Sequence, residues 1–129
     1  SRTISPRYGL AVEHTLKDLT VWNGNNGATY FYQSELPYIV NQAQFPNNSS
    51  GYHVTDQVTS HQGWGVGVYS YFKNHVVNVT SGIVTPSQGT KLVNPFTVFL
   101  NGFGGIDSIW NGKGGASVQN GPSQVNYLC

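Results

Sequence analysis

Glu13 and Glu35 stand 22 residues apart, and each lies at the end of a short run in which apolar and polar side chains alternate. The stretch from Tyr8 to Tyr38 reads YGLAVEHTLKDLTVWNGNNGATYFYQSELPY. Alternation is the period of a half-buried strand. Between the runs, Asn23-Gly-Asn-Asn-Gly27 supplies residues that accept the positive φ of a turn. The chain holds five carboxylates, Glu13, Asp18, Glu35, Asp56 and Asp107, so two on matched strand positions are a feature to be explained. An acid/base pair and two solvated surface glutamates both fit at this point.

The first seven residues read as a polar, irregular lead. Leu10 to Leu16 alternates, with Leu10 and Val12 toward a core and Glu13 outward. Leu19 to Trp22 is a second short strand, and Thr29 to Glu35 a third. In that third strand Phe31, Gln33 and Glu35 share the outer side, and Tyr30, Tyr32 and Ser34 the other. Pro37 lacks a backbone donor and ends pairing. A long loop at about residues 39–62 follows, with one short strand at Tyr52–Val54; loops of this length are usually functional or disordered. Later strands are Gly65 to Phe72, Val76 to Thr80 with Val77 and Val79 inward, Phe96 to Asn101, Ile106 to Trp110, Ala116–Val118 and Val125–Leu128. The Gly102-Phe-Gly-Gly105 run separates two of them.

No segment shows a 3.6-residue apolar period, so the fold class is all-β, with residues 1–129 as a single module. A right-handed parallel β-helix and a β-sandwich are the two architectures that suit many short strands with Gly/Asn turns. The 22-residue spacing favours the β-helix, because residues one coil apart stack about 4.8 Å from each other. A solenoid buries its core by stacking, and the first strand starts with little to cap it. The chain therefore reads as a C-terminal fragment of a larger β-helix.

Charged residues make up only 9% of the chain, and the six Lys/Arg are scattered singly. That leaves no electrostatic footprint for nucleic acid or an anionic membrane, and no apolar run is long enough to span a bilayer. Sequons at Asn47, Asn48 and Asn78 fit a secreted glycoprotein, although a chain rich in Asn, Ser and Thr also makes them by chance. No signal peptide is expected within this stretch, and Ser1 reads as a processed or cut terminus. Cys129 is the one cysteine, so it is free or pairs with another chain. His14, His53, His61 and His75 show no ligand spacing on one strand; no metal and no other cofactor is expected, and His14 is assigned to packing or to orienting Glu13.

Three motifs carry a family resemblance. Tyr-Gly-Leu-Ala-Val-Glu-His (8–14), Tyr-Gln-Ser-Glu-Leu-Pro-Tyr (32–38) and Gly-Trp-Gly-Val-Gly-Val-Tyr-Ser-Tyr-Phe (63–72) resemble, in order and spacing, the C-terminal β-helix of family 55 glycoside hydrolases, the exo-β-1,3-glucanases. Residues 96–106 are similar to a group of secreted fungal proteins. The resemblance implies an inverting hydrolase in which Glu35 is the general acid and Glu13, beside it, helps to position the attacking water. It departs from the family pattern at Val12, where the family has Thr, and at Ser34 and Leu36, which flank Glu35. The family's remaining water-positioning and sugar-binding residues come from preceding coils.

Inversion calls for two carboxyl groups roughly 6.5–9.5 Å apart, a range that glutamates on adjacent coils reach by leaning apart. Two like charges side by side disfavour double ionisation, so one carboxyl keeps its proton; Glu35 is the choice. Phe31, Gln33 and Tyr38 are the candidate substrate contacts, with ordinary packing under the long loop as the other reading of Phe31. The expected ligand is a polysaccharide or oligosaccharide. A second chain or an N-terminal β-helix, joined through Cys129, is the expected protein partner. A lectin that binds glycan without turnover, and a structural cell-wall module, are the alternatives.

Overall fold

The computed structural model describes residues 5–129, and the first four residues of the expected irregular lead lie outside it. Eleven strands follow in order: β1 (Ser5–Tyr8), β2 (Ala11–Glu13), β3 (Val21–Trp22), β4 (Gly27–Glu35), β5 (Tyr52–Val54), β6 (His61–Val79), β7 (Ile83–Val84), β8 (Thr90–Val93), β9 (Phe96–Ile106), β10 (Ser117–Val118) and β11 (Val125–Tyr127). The fold is all-β, and its successive circuits pair in parallel. β1, the start of β4, the start of β6 and β8 form one array. β2, the rest of β4, the rest of β6 and β9 form a second. β3, β5 and β7 form a third. The sandwich alternative falls, because sandwiches are built of antiparallel sheets.

The first and second arrays meet at a bend with a common backbone signature. Gly9, Phe31, Gly65 and Asn94 have φ of 63°, 58°, 65° and 53°. Phe31 lies between the register pairs Tyr30↔Trp64 and Tyr32↔Val66, which puts it level with Gly65. Glycine and asparagine enter the left-handed region readily; a bulky Phe does not, at a cost of about 1–2 kcal/mol. Its ring lies over Gly65, where an added Cβ would come within 3.4 Å of it.

That bend corrects the inner and outer sides expected of β4. One left-handed residue resets the alternation, so Tyr32, Ser34 and Thr29 are buried whereas Tyr30 faces out. Tyr30 stacks between Tyr8 and Trp64, with ring centroids 4.8 and 4.7 Å apart. Phe31 is 77% exposed, which removes the reading that packs it under a loop.

The core runs between the arrays and holds Tyr32, Leu36, Tyr52, Val54, Val66, Val68, Phe72, Val77, Val79 and Ile83. Val77 and Val79 point inward, as their alternation predicts. The segment after Glu35 is ordered from within: Val40, Phe45 and Val58 are buried, and Phe45 lies 6.3 Å from the Phe72 ring. His61 and Gln62, placed in the long loop by the sequence, open β6. Other boundaries also shift. Ser5–Tyr8 is a strand rather than irregular lead, and Gly102–Gly105 lies inside β9 instead of separating two strands. Ile106 to Trp110 is no strand beyond Trp110's bridges to Ile83 and Lys113. β10 and β11 then pair antiparallel with the outer edge of β9 and cover it.

Candidate active site

β2 and β4 pair in register with Glu13 directly opposite Glu35. Pairing stops there for a local reason: Pro37 follows within two residues, and His14 turns into the left-handed region at φ 58°. Val12 and Ser34, one position earlier, point to the interior, so both glutamates point outward. Glu13 is exposed and Glu35 half-buried. The 22-residue spacing is therefore one circuit of the chain.

Tyr38 comes back over this pair. Its hydroxyl donates a hydrogen bond to Glu35 Oε2, which holds the phenol proton and pushes the Tyr38 pKa up to about 12. His14 packs edge-on against the Tyr38 ring, with centroids 4.2 Å apart, and its Nε2 lies 3.8 Å from Glu35 Oε2. His14 thus faces Glu35 and Tyr38 as well as following Glu13 in the chain. The Lys73 ammonium lies 4.9 Å from the ring centroids of both Tyr38 and Tyr71, and the Lys73 amide donates to the Tyr38 carbonyl. Those contacts hold Tyr38 through its ring and its carbonyl.

Glu13, His14 and Glu35 each offer a ligand atom, and these atoms lie within 4.8 Å of one another. Two carboxylates and an imidazole are donors that a divalent cation accepts, so among the described residues these three side chains are the ones that could hold a metal, although the sequence pointed to none. The same closeness bears on catalysis. The glutamates do not lean apart, and their nearest oxygens fall short of the separation that places a water between acid and base. Glu13 stands beside Glu35, not across a sugar ring from it.

The structure brings together Glu13, Glu35 and Tyr38 of the predicted residues. Gln33 lies outward on β4 two positions before Glu35, and Phe31 at the bend two further back. Sequence reasoning missed Tyr69, the in-register partner of Glu35 on β6. Its hydroxyl is pushed up by burial, with Tyr127 and Glu35 adding to the effect. Only the strand register could have found it. In Glu35→Gln the charge that holds the Tyr38 proton is gone, so its phenol should fall from about 12 toward its ordinary 10. A titration followed by NMR of ¹³C-labelled tyrosine reads this directly; an unmoved Tyr38 resonance would mean that the contact is not formed.

Comparison with known proteins gives consistent matches. The LAM55 pectate lyase-like domain matches residues 4–35, a span that contains both glutamates. An exo-beta-1,3-glucanase of Streptomyces sp. (strain SirexAA-E / ActE) is 38% identical over 113 residues, 82% of this chain and 19% of that protein. The structure of sacteLam55A from Streptomyces sp. SirexAA-E superposes with a TM-score of 0.87 at 33% identity, over 95% of this chain and 24% of that one. A variant of sacteLam55A in complex with glucose gives 0.85 at 32% identity, over 95% and 23%. The chain spans about a fifth of the length of the curated relative it matches. These matches and the register of the two glutamates agree: the chain is related to the family 55 glycoside hydrolases and corresponds to their C-terminal β-helix portion.

Proposed function

We propose that this chain is the carboxylate-bearing part of an inverting β-1,3-glucan hydrolase, its circuits being coils of a right-handed parallel β-helix. The observation that carries the reading is the in-register pairing of Glu13 with Glu35 on adjacent strands, with Tyr38 bonded to Glu35. Glu35 donates the proton to the leaving glycosidic oxygen. Glu13 lies too near to serve as the base on the far face of the sugar, so its part is to position water from beside the acid. The far-face groups belong to preceding coils, as the resemblance implies, and turnover is proposed for the chain acting with such coils. A secreted setting accompanies this reading, since its substrate is an extracellular polymer.

The deciding experiment is laminarin hydrolysis, with the chain alone and with the preceding coils of a family 55 relative fused ahead of it. Proton NMR of the fresh product should show the α-anomer, the mark of inversion. Release of the β-anomer would replace inversion by retention, and release of no sugar by either form would remove the hydrolase assignment. Binding of glycan without product would leave the lectin.

A further inference from the structure

We propose that the outer face of β6, β9 and β11 forms a glycan-binding strip that starts at Glu35 and ends at Tyr127. The proposal rests on the carbohydrate-active reading of Glu13 and Glu35 and extends it past the 63–72 motif, which holds Tyr69, to Phe96 and Tyr127. Register defines two parallel lines of outward side chains. One runs Glu13, Glu35, Tyr69. The line beside it runs Gln33, Gly67, Phe96, Tyr127. Glu35 sits between Glu13 and the aromatic end, so the strip lies on the side of the acid away from its neighbour.

The aromatic end is built as a surface. Phe96 packs edge-on to Tyr69 at 5.9 Å and tilted against Tyr127 at 5.1 Å. Gly67 makes room for it: a Cβ there would fall 2.3 Å from the Phe96 ring, so the tip of that ring lies over β6. Tyr127 is 60% exposed on the last strand, and Tyr69 and Phe96 are half-buried. Aromatic rings with one wet edge take the apolar face of a sugar while their hydroxyls bond its rim. Three strand spacings separate β4 from β11, about 14 Å, which is room for several sugar rings. The occupant is therefore the leaving-side portion of a β-glucan chain, continuous with the acid pair. The antiparallel cap formed by β11 supplies the far end of the site as well as closing the sheet.

Calorimetric titration of the chain with laminaribiose and laminarihexaose tests this, using Tyr127→Ala, Tyr127→Trp and Phe96→Ala. The hexasaccharide should bind more tightly than the disaccharide. Tyr127→Ala should weaken the hexasaccharide about tenfold, leave the disaccharide unchanged and melt at the wild-type temperature, and Tyr127→Trp should restore the affinity. Equal affinity for both lengths in the wild type, or an unchanged hexasaccharide affinity in both alanine variants, overturns the strip and leaves the acid pair standing. Length-dependent binding that Tyr127→Ala weakens upholds the strip, whether or not the chain without preceding coils turns the sugar over. Failure of the wild type to bind either sugar overturns the strip and leaves the hydrolase reading to the fused form.

Discussion

In the form fused to preceding coils, Glu35→Gln should lower laminarin turnover about a thousandfold, the middle of the range for losing a general acid, with little change in melting temperature. Gln keeps the shape of Glu and keeps a carbonyl oxygen for the Tyr38 hydroxyl that now bonds Oε2. What it lacks is a proton to give to the leaving oxygen. The loss should therefore depend on the leaving group. An aryl β-glucoside whose phenol is acidic leaves without help, and on it the variant should approach the wild type. Glu13→Gln should cost less, because Glu13 stands beside the acid and does not donate to the leaving group. A Glu35→Gln chain that retains most of its laminarin activity would remove Glu35 from the chemistry, whatever its register with Glu13.

The acid pair was legible in the sequence because its placement depends on local signals that side chains announce. Alternating residues end at Glu13 and Glu35, Asn and Gly fill the turn between them, and Pro37 stops the second strand. The spacing equals one circuit, so the register follows from the chain length between the turns. The outward face of Tyr30 was not legible, because it depends on the backbone of one residue. Phe31 adopts a φ that its side chain disfavours, and the glycines that mark the same bend, Gly9 and Gly65, sit on other circuits.

β9 failed to read as one strand for a related reason. Gly102, Gly104 and Gly105 hold positive φ within it, and glycines in sequence look like a break. An added Cβ at Gly102 or Gly104 would come within 2.2 or 2.1 Å of a carbonyl of β6, so close backbone approach is what these glycines provide. The aromatic strip was out of reach altogether. Tyr69, Phe96 and Tyr127 meet only through two strand registers, one of them antiparallel, and a single sequence carries no record of which strands will be neighbours.

The second large effect is on stability and comes from His61, which is 1% exposed on the inner side of β6. Its Nε2 meets the Tyr52 hydroxyl, which also lies 2.6 Å from the Thr29 hydroxyl, while Nδ1 is buried without a partner. Nothing charged compensates an imidazolium there, and burial pushes the His61 pKa down to about 4 from 6.5. Above pH 6.5 neither the folded nor the unfolded chain carries this proton, and the full stability is present. As pH falls from 6.5 toward 4 the unfolded chain takes up the proton and the folded chain does not, so stability declines, by about 3 kcal/mol in all. Asp107, whose carboxyl desolvation pushes up, contributes with the opposite sign, since its share is present at low pH and lost as pH rises. Urea unfolding between pH 4 and 7.5, for the wild type and His61→Gln, separates the two. The variant keeps the carboxylates and loses the histidine, so the difference between the curves should shrink by about 3 kcal/mol from pH 7 to pH 4. A difference that stays constant across that interval would mean that His61 is protonated equally in both states, and that the buried site holds its charge.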